Sequence, residues 1–362
     1  MLCLGCNWIE GTPLAENPLW NIAQEIGLKG ASTNQEDEPL MFDENGKEDT
    51  AIVRSVWARL NSAMAASYKD SVQRQWNGLP DMSLRESLTR NGWVPQTAME
   101  KTAEFFYVEW MFEYGAEDVS LFNFFSSPVG LTTIQNDSLN ISTSGRRSGS
   151  KLKRGMPRNV RAALARMGVV DESESPEFFV TDSRGYVAVM QYIADSYLSA
   201  NDPRLLLNTV VTNIQYDESK STGVTVTTSE GRKYTADYVI CTFSAGVINK
   251  GDTTGLFTPS LPLWKRNAYA KAQMGTYTKV FLKFNEPFWD DWVYTLYADS
   301  SQYGFYPVWQ NMQALGLFFP NDTNVFMVTV VNSESDRIET QSSAGEKTFY
   351  KVSCHQRCCY SC

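Results

Sequence analysis

The single histidine, His355, lies in a cysteine-rich C-terminal stretch, so a hydrolase built on a nucleophile, histidine and acid has no general base in the body of the chain. Gly-x-Ser-x-Gly, a phosphate-cradling Gly-x-x-x-x-Gly-Lys loop and the Gly-x-Gly-x-x-Gly turn of dinucleotide-binding folds are all absent. Carboxylate, lysine and tyrosine chemistry remain, or chemistry supplied by a cofactor.

Three local constellations carry such groups. In Gly5-Cys6-Asn7-Trp8-Ile9-Glu10-Gly11 an acid stands between a bulky aromatic and glycine. Glycine there permits close backbone approach to a ligand and Trp8 offers a wall for a flat ring, although a plain turn accounts for the same residues. In Trp110-Met111-Phe112-Glu113-Tyr114-Gly115 a carboxylate follows an apolar aromatic run. Such a charge is costly unless solvated or paired, so Glu113 belongs either at the wet end of a helix or against a pocket. In the run Gly275 to Phe284, a period of two places Tyr277, Lys279, Phe281 and Lys283 on one face of a strand and Thr278, Val280, Leu282 and Phe284 on the other. The second set is core. A face with two lysines is ordinarily the solvent face, and Lys279 gains chemical interest only where that face borders a cavity.

The elements that would position these groups begin with a helix over 14–28, with Asn17 as cap, Pro18 in the first helical position and Leu19, Ile22, Ala23 and Ile26 as its apolar stripe. Asp43-Glu44-Asn45-Gly46 reads as a hairpin tip. Helices are expected over 49–68, 83–91 and 97–115, the last a buried helix leading to Glu113. Residues 129–176 read as an insertion, with a basic cluster from Arg146 to Arg161 that is either a solvated face or a polyanion-binding loop. A helix over 184–200 precedes strands over 205–216, 223–228 and 234–242, a helix over 262–273, and strands over 276–284, 293–298, 303–309, 314–319 and 324–331. This order fits two interleaved domains, α/β plus α+β.

Bulk properties narrow the class. With 362 residues, 43% hydrophobic and ten tryptophans, the chain has material for more than one core. A net charge of −9 argues against a nucleic-acid partner, which would need a basic surface. No apolar run is long enough to span a membrane, and the first residues do not read as a signal peptide. Three glycosylation sequons, at Asn136, Asn140 and Asn321, hint at a secreted ancestor, and the compartment stays open. Cys3/Cys6 and Cys359/Cys362 form Cys-x-x-Cys pairs at opposite ends, a poor arrangement for zinc, so no metal site is expected. The tail over 346–362 reads as aberrant, as from a frameshift or mis-splicing.

Taken in order, the motifs resemble one family, the flavin amine oxidases, and most closely the plant and fungal polyamine oxidases. Gly5–Gly11 followed by Asn17-Pro18-x-Trp20 is similar to the family's early segment. Asp182–Tyr186, Leu207–Ile214, Ala236–Ile240, Ser244–Ile248, Phe257–Lys265, Tyr277–Phe284 and Pro287–Trp289 follow in the family's order. The resemblance implies an incomplete FAD-binding domain of the glutathione-reductase type (1–14 and 178–258) interleaved with a substrate domain of mixed sheet and helices (15–177 and 259–345). It implies FAD as cofactor, a small polyamine as substrate and molecular oxygen as oxidant.

Residue by residue, the resemblance makes Lys279 the lysine that holds a water against flavin N5 and places Tyr277 beside it in the substrate tunnel. Glu10 and Glu113 would position a cationic amine. Trp8 and Gly5 would border the flavin, and the Val211 backbone would meet the adenine. The family's reaction is hydride transfer from the carbon beside an amine nitrogen, then imine hydrolysis and peroxide formation, with the hard step supplied by the flavin. The family's Gly-x-Gly-x-x-Gly start and its C-terminal flavin-contacting segment are missing here, so weak FAD binding and little turnover are expected of this chain. The alternatives are a non-catalytic remnant that binds an amine or a partner, and an oxidase of another amine or an amino acid. An arginine clamp would favour the amino acid, as Glu10 and Glu113 favour a polycation.

Overall fold

In the computed structural model the described residues are 8–9, 17–33, 39–125, 177–217, 223–272, 274–290, 292–314 and 324–341. In chain order they form β1 (Trp8–Ile9), α1 (Pro18–Glu25), β2 (Gly30–Thr33), β3 (Leu40–Asp43), β4 (Gly46–Lys47), α2 (Thr50–Trp76), α3 (Leu84–Arg90), α4 (Ala98–Tyr107), α5 (Glu109–Phe112) and α6 (Leu121–Phe124). There follow β5 (Glu177–Val180), α7 (Val187–Asp195), β6 (Val211–Tyr216), β7 (Val224–Thr228), β8 (Lys233–Ala236), α8 (Ala245–Thr254), β9 (Phe257–Thr258), α9 (Leu263–Lys271), β10 (Tyr277–Lys283), β11 (Tyr294–Tyr297), β12 (Val308–Asn311), β13 (Val325–Val331) and α10 (Asn332–Glu339). The chain divides into two compact units, residues 1–192 with 276–362, and residues 193–275. The expected mixture of helices and sheets is present. The insertion, the sequons and every cysteine except Cys241 lie outside the described residues.

The larger unit is organised on a six-stranded sheet of order β10-β13-β12-β11-β3-β4, antiparallel except where β11 runs parallel to β3. Because directly opposed residues share a face, the register Lys279↔Thr329↔Val308↔Leu296↔Met41 defines one row. Phe281↔Met327↔Gln310↔Tyr294 defines the next row on the same face. At the Leu296 end this face meets a helical layer whose core is Trp57, Leu60, Met64, Leu84, Leu88, Trp93, Phe105, Leu121 and Phe124. The opposite face, with Val280, Leu282, Phe326, Val328 and Val330, is covered by Phe284, Phe288, Trp289, Trp292 and Ile338.

The helical layer departs from expectation at two points. Helix α2 runs eight residues past 68. Past Tyr68 its one buried residue is Ser71, and a small buried serine leaves no trace in a hydrophobic period. Ser67 accepts from Asn91 Nδ2 (3.3 Å), and Asp70 accepts from Ser87 Oγ (3.2 Å). The single helix expected over 97–115 is two, α4 and α5, separated at Val108 and closed by Glu113 in the left-handed region at φ 62°.

A three-stranded sheet, β1-β5-β2, belongs to the same unit. Gly30 in β2 lies so close to Phe179 O and the Phe178 ring that any Cβ there would collide with them, so the close approach of β2 to β5 requires glycine. The Asp182–Tyr186 motif fastens this sheet to α1. Arg184 donates to Ile26 O (3.2 Å) and Gly27 O (3.1 Å), while Asp182 accepts from Lys29 N (2.9 Å). The start of α1 matches expectation, with Asn17 Oδ1 accepting from Leu19 N at 3.0 Å and Pro18 opening the helix.

The smaller unit holds a four-stranded sheet, β8-β7-β6-β9, packed through Ile214 and Phe257 on Ile248 of α8 and on Leu256. The strand expected over 234–242 ends at Ala236, and Tyr238 and Ile240 are 83% and 90% exposed. An apolar alternation becomes a strand only where a neighbour completes its ladder, and no described strand pairs with 237–242. Pro262 is the cap of α9 rather than its first residue.

Candidate active site

Strand β10 delivers Tyr277 and Lys279 to the face of the large sheet that meets the helical layer and the three-stranded sheet. The face expected to look to solvent is mixed, with Lys279 and Phe281 half-buried and Tyr277 and Lys283 exposed. Phe281 packs on a cluster containing Phe179 and Met327, to which Trp8 also adds its ring, and Lys279 is half-buried beside the buried Thr329. Lys283, at the strand's end, is exposed as expected. The Lys279 Nζ stands 5.8 Å from the centre of the Tyr277 ring, a cation–π distance.

Tyr277 is 36% exposed as a residue, yet its phenol end is enclosed. Burial pushes its hydroxyl up to about 12, with the Glu113 charge adding to the rise and contacts with Thr329 and Trp110 opposing it. Trp110 supplies the facing wall. Its ring stacks on Phe106 at 4.9 Å and meets Tyr294 edge-on at 5.4 Å. Its Nε1 is buried without a partner of good hydrogen-bond geometry.

Glu113 closes α5, donating its backbone N–H to Glu109 O at 2.7 Å. It is half-buried, and desolvation raises its carboxyl above the usual range. Among the described residues no hydrogen bond or ion pair reaches its side chain. A half-buried carboxylate with no described cation beside it keeps its charge available for a cationic partner. Of the two readings left open for Glu113, the structure puts it at the helix end, and its charge is felt by the Tyr277 hydroxyl.

Trp8, in β1, is held edge-on to Phe179 with ring centres 4.8 Å apart. With Phe281 and Met327 it makes an apolar and aromatic surface near a single ammonium, a donor set that fits a flat redox ring with one polar edge. Val211, in the smaller unit, opens β6. The neighbouring β9 pairs only with Ile214 and Gln215, so no described strand occupies that edge at Val211. Gly5 and Glu10 lie outside the described residues. Trp110 was in view within the Glu113 motif but was not assigned a role. Tyr294 and Thr329 reach the site only through strand pairing, for which a single sequence carries no signal.

Among the described residues no set of three or more His, Cys, Asp or Glu side chains is grouped to hold a metal, and no helix is long and apolar enough to cross a membrane.

Helical and sheet layers of the larger unit thus bring a lysine, a tyrosine and a carboxylate into an aromatic setting. Residues 4–342 match the model for flavin containing amine oxidoreductases, and the chain belongs to that family. It is 30% identical over 357 residues to polyamine oxidase 6 of Oryza sativa subsp. japonica, covering 95% of this chain and 62% of that protein. It is 30% identical over 363 residues to polyamine oxidase 1 of Zea mays, covering 95% and 62%. The chain thus spans 62% of the length of these two curated relatives. Among solved structures, cyclohexylamine oxidase from Brevibacterium oxydans IH-35A superposes with a TM-score of 0.52 at 16% identity, covering 91% of this chain and 65% of that one, a likeness of fold.

Proposed function

We propose that the chain carries the amine-binding and lysine-bearing part of an FAD-dependent polyamine oxidase. The observation that carries this reading is Glu113, a half-buried carboxylate with a raised pKa, no described partner, and Tyr277 and Trp110 beside it. An ammonium group seated there would pair with the carboxylate while its methylenes lie on the rings. Glu10, in the Gly5–Gly11 motif, is the second carboxylate in this reading. A carboxylate rather than an open guanidinium favours a polycation over an amino acid; Arg85 of the helical layer is already engaged with Glu104. The names of the plant relatives point the same way.

FAD would meet Trp8, Gly5 and Lys279 with its ring, and when bound it supplies the hydride acceptor. Lys279 would hold a water at its ammonium, and Tyr277 would keep its phenol protonated through the working pH range, since burial holds it near 12. Trp110, Phe106 and Tyr294 would keep bulk water from the amine.

Calorimetric titration with spermidine tests the reading. Removing one charged partner from such a contact corresponds to about a 10- to 100-fold loss, so Glu113→Gln is expected to weaken spermidine by that factor. Equal affinity of the wild type and Glu113→Gln would sink the assignment. Peroxide release on spermidine by the FAD-loaded protein, lost in Lys279→Met, tests the redox half separately.

A further inference from the structure

We infer that Glu109 is a positioning residue for Glu113, tying the end of α5 to the strand that bears Tyr277 and Lys279. The inference rests on the reading of Glu113 as the amine-binding group and extends it. Glu109 is 9% exposed and has no cationic partner among the described residues. Its two carboxylate oxygens are instead taken by neutral donors from other elements. Oε1 accepts from the Tyr303 hydroxyl, and Oε2 accepts from Asn332 Nδ2 at 3.2 Å.

The consequence lies in the backbone. Glu113 and Asn332 are both left-handed, at φ 62° and 54°, a conformation that residues with a Cβ hold only where their surroundings fix it. Both are fastened to Glu109, Glu113 through its N–H on Glu109 O at 2.7 Å and Asn332 through its side chain. Asn332 in turn donates its N–H to Thr276 O and accepts from Thr276 Oγ1, each at 3.3 Å, and Thr276 directly precedes Tyr277. Residue 109 therefore links the two, its main-chain oxygen holding Glu113 at the end of α5 and its side chain holding Asn332 beside the start of β10. Two donors converge on it, and a carboxylate offers only acceptors. That explains why an acid is kept at this buried point despite desolvation, which raises its pKa together with the nearby charges of Glu117 and Glu104, against the Tyr303 and Asn332 hydrogen bonds.

The test uses the full chain and spermidine calorimetry with Glu109→Ala, Glu109→Gln and, as a control of similar buried hydrogen bonding, Asn61→Ala, which removes the acceptor of the Tyr107 hydroxyl (2.8 Å). A displaced binding group costs roughly tenfold or more, so Glu109→Ala is expected to weaken spermidine about tenfold. Glu109→Gln, which keeps one acceptor, should stay within about threefold. Asn61→Ala should lower the melting temperature with spermidine affinity unchanged. Should Glu109→Ala not fold, Asn332→Gly removes the side-chain donor at a residue type at ease with that φ, and is expected to weaken spermidine several-fold. Wild-type affinity in both Glu109→Ala and Asn332→Gly, or an equal loss in Asn61→Ala, overturns the inference while the Glu113 reading stands. A wild-type chain that ignores spermidine overturns both.

Discussion

The two sheets that dominate the two units differ in how they are covered. The six-stranded sheet has apolar packing on both faces, and its central β13 is buried along nearly its whole length. The four-stranded sheet ends in β8, all four of whose residues are exposed, followed by the bare Tyr238 and Ile240. Carboxylates of two kinds occur, and the larger unit holds both: Asp182 there is held low by the Arg184 guanidinium in its own loop. In the larger unit Glu109 and Glu113 are raised by desolvation. In the smaller unit Asp202 is held well below its usual range by the Arg204 guanidinium and by backbone N–H groups around it. Enclosure without a cation primes a carboxylate for a cationic ligand, whereas a carboxylate paired within its own loop is committed to structure.

The largest effect expected from this contrast is on stability. Leu296 is fully buried where the large sheet meets the helical layer. Leu296→Ala should lower unfolding free energy by about 2–5 kcal/mol, read from urea or thermal melts. Ile240→Ser, at a position 90% exposed, should stay within about 0.5 kcal/mol. A cost for Ile240→Ser approaching that of Leu296→Ala would mean that the open sheet is covered in solution, and the contrast would collapse.

Next comes the buried ion pair. Glu104 accepts from Arg85 Nη1 at 2.8 Å and from Trp93 Nε1 at 2.9 Å. Glu104→Ala strands the Trp93 donor in the core and leaves the half-buried Arg85 with only the exposed Glu117 at 3.9 Å, and is expected to cost about 3 kcal/mol. Glu230→Ala breaks the exposed pair with Arg232 (2.7 Å) in the smaller unit and should cost under about 1 kcal/mol. Similar losses in the two variants would remove the distinction between enclosed and open charges.

A smaller effect, about 1 kcal/mol, is expected of Thr97→Ala. Thr97 and Glu100 form a capping box at the start of α4, with Glu100 N on Thr97 Oγ1 at 3.2 Å and Thr97 N on Glu100 Oε2 at 3.0 Å. A neutral result in thermal melts would show that the helical layer, rather than the box, sets where α4 begins.

How much of this was legible follows the range of the interactions involved. Asn17-Pro18 announced α1 because cap and first turn are neighbours in sequence, and Asp43–Gly46 announced the β3–β4 turn for the same reason. The alternation in 277–284 placed Tyr277 and Lys279 on one face, as observed. The core face, with Val280 and Leu282, was legible as well; what was not legible locally is the partial cover over Lys279 and Phe281, which Thr329, Met327 and the three-stranded sheet supply. Helix α10 was missed because Asn332–Glu339 carries few apolar residues and has no side-chain cap. Glu109 was passed over although it stands four residues before Glu113 in the same apolar run. A second costly carboxylate there was the available signal, and its partners Tyr303 and Asn332 lie 194 and 223 residues away.

The smallest effect separates two kinds of buried carboxylate by the sign of a slope. Burial raises Glu109 above its ordinary 4.5, so the folded state holds that proton more tightly than the unfolded chain. Its contribution is fully favourable below pH 4.5 and declines as pH rises through the folded value. In Glu100 burial also pulls upward, but the Thr97 and Gln96 backbone N–H groups and the Arg59 guanidinium prevail and hold it at about 2. Its contribution is present above pH 4.5 and is lost as pH falls toward 2. Melts of Glu109→Gln and Glu100→Gln across pH 3 to 8 should therefore diverge from the wild type in opposite senses. Glu109→Gln gains on the wild type as pH rises above 4.5, and the deficit of Glu100→Gln shrinks as pH falls below it. Parallel curves would mean that Glu109 is charged and satisfied as Glu100 is. It would then be a structural anchor in its own right, and the enclosed carboxylates near Tyr277 would differ from the paired ones only in position.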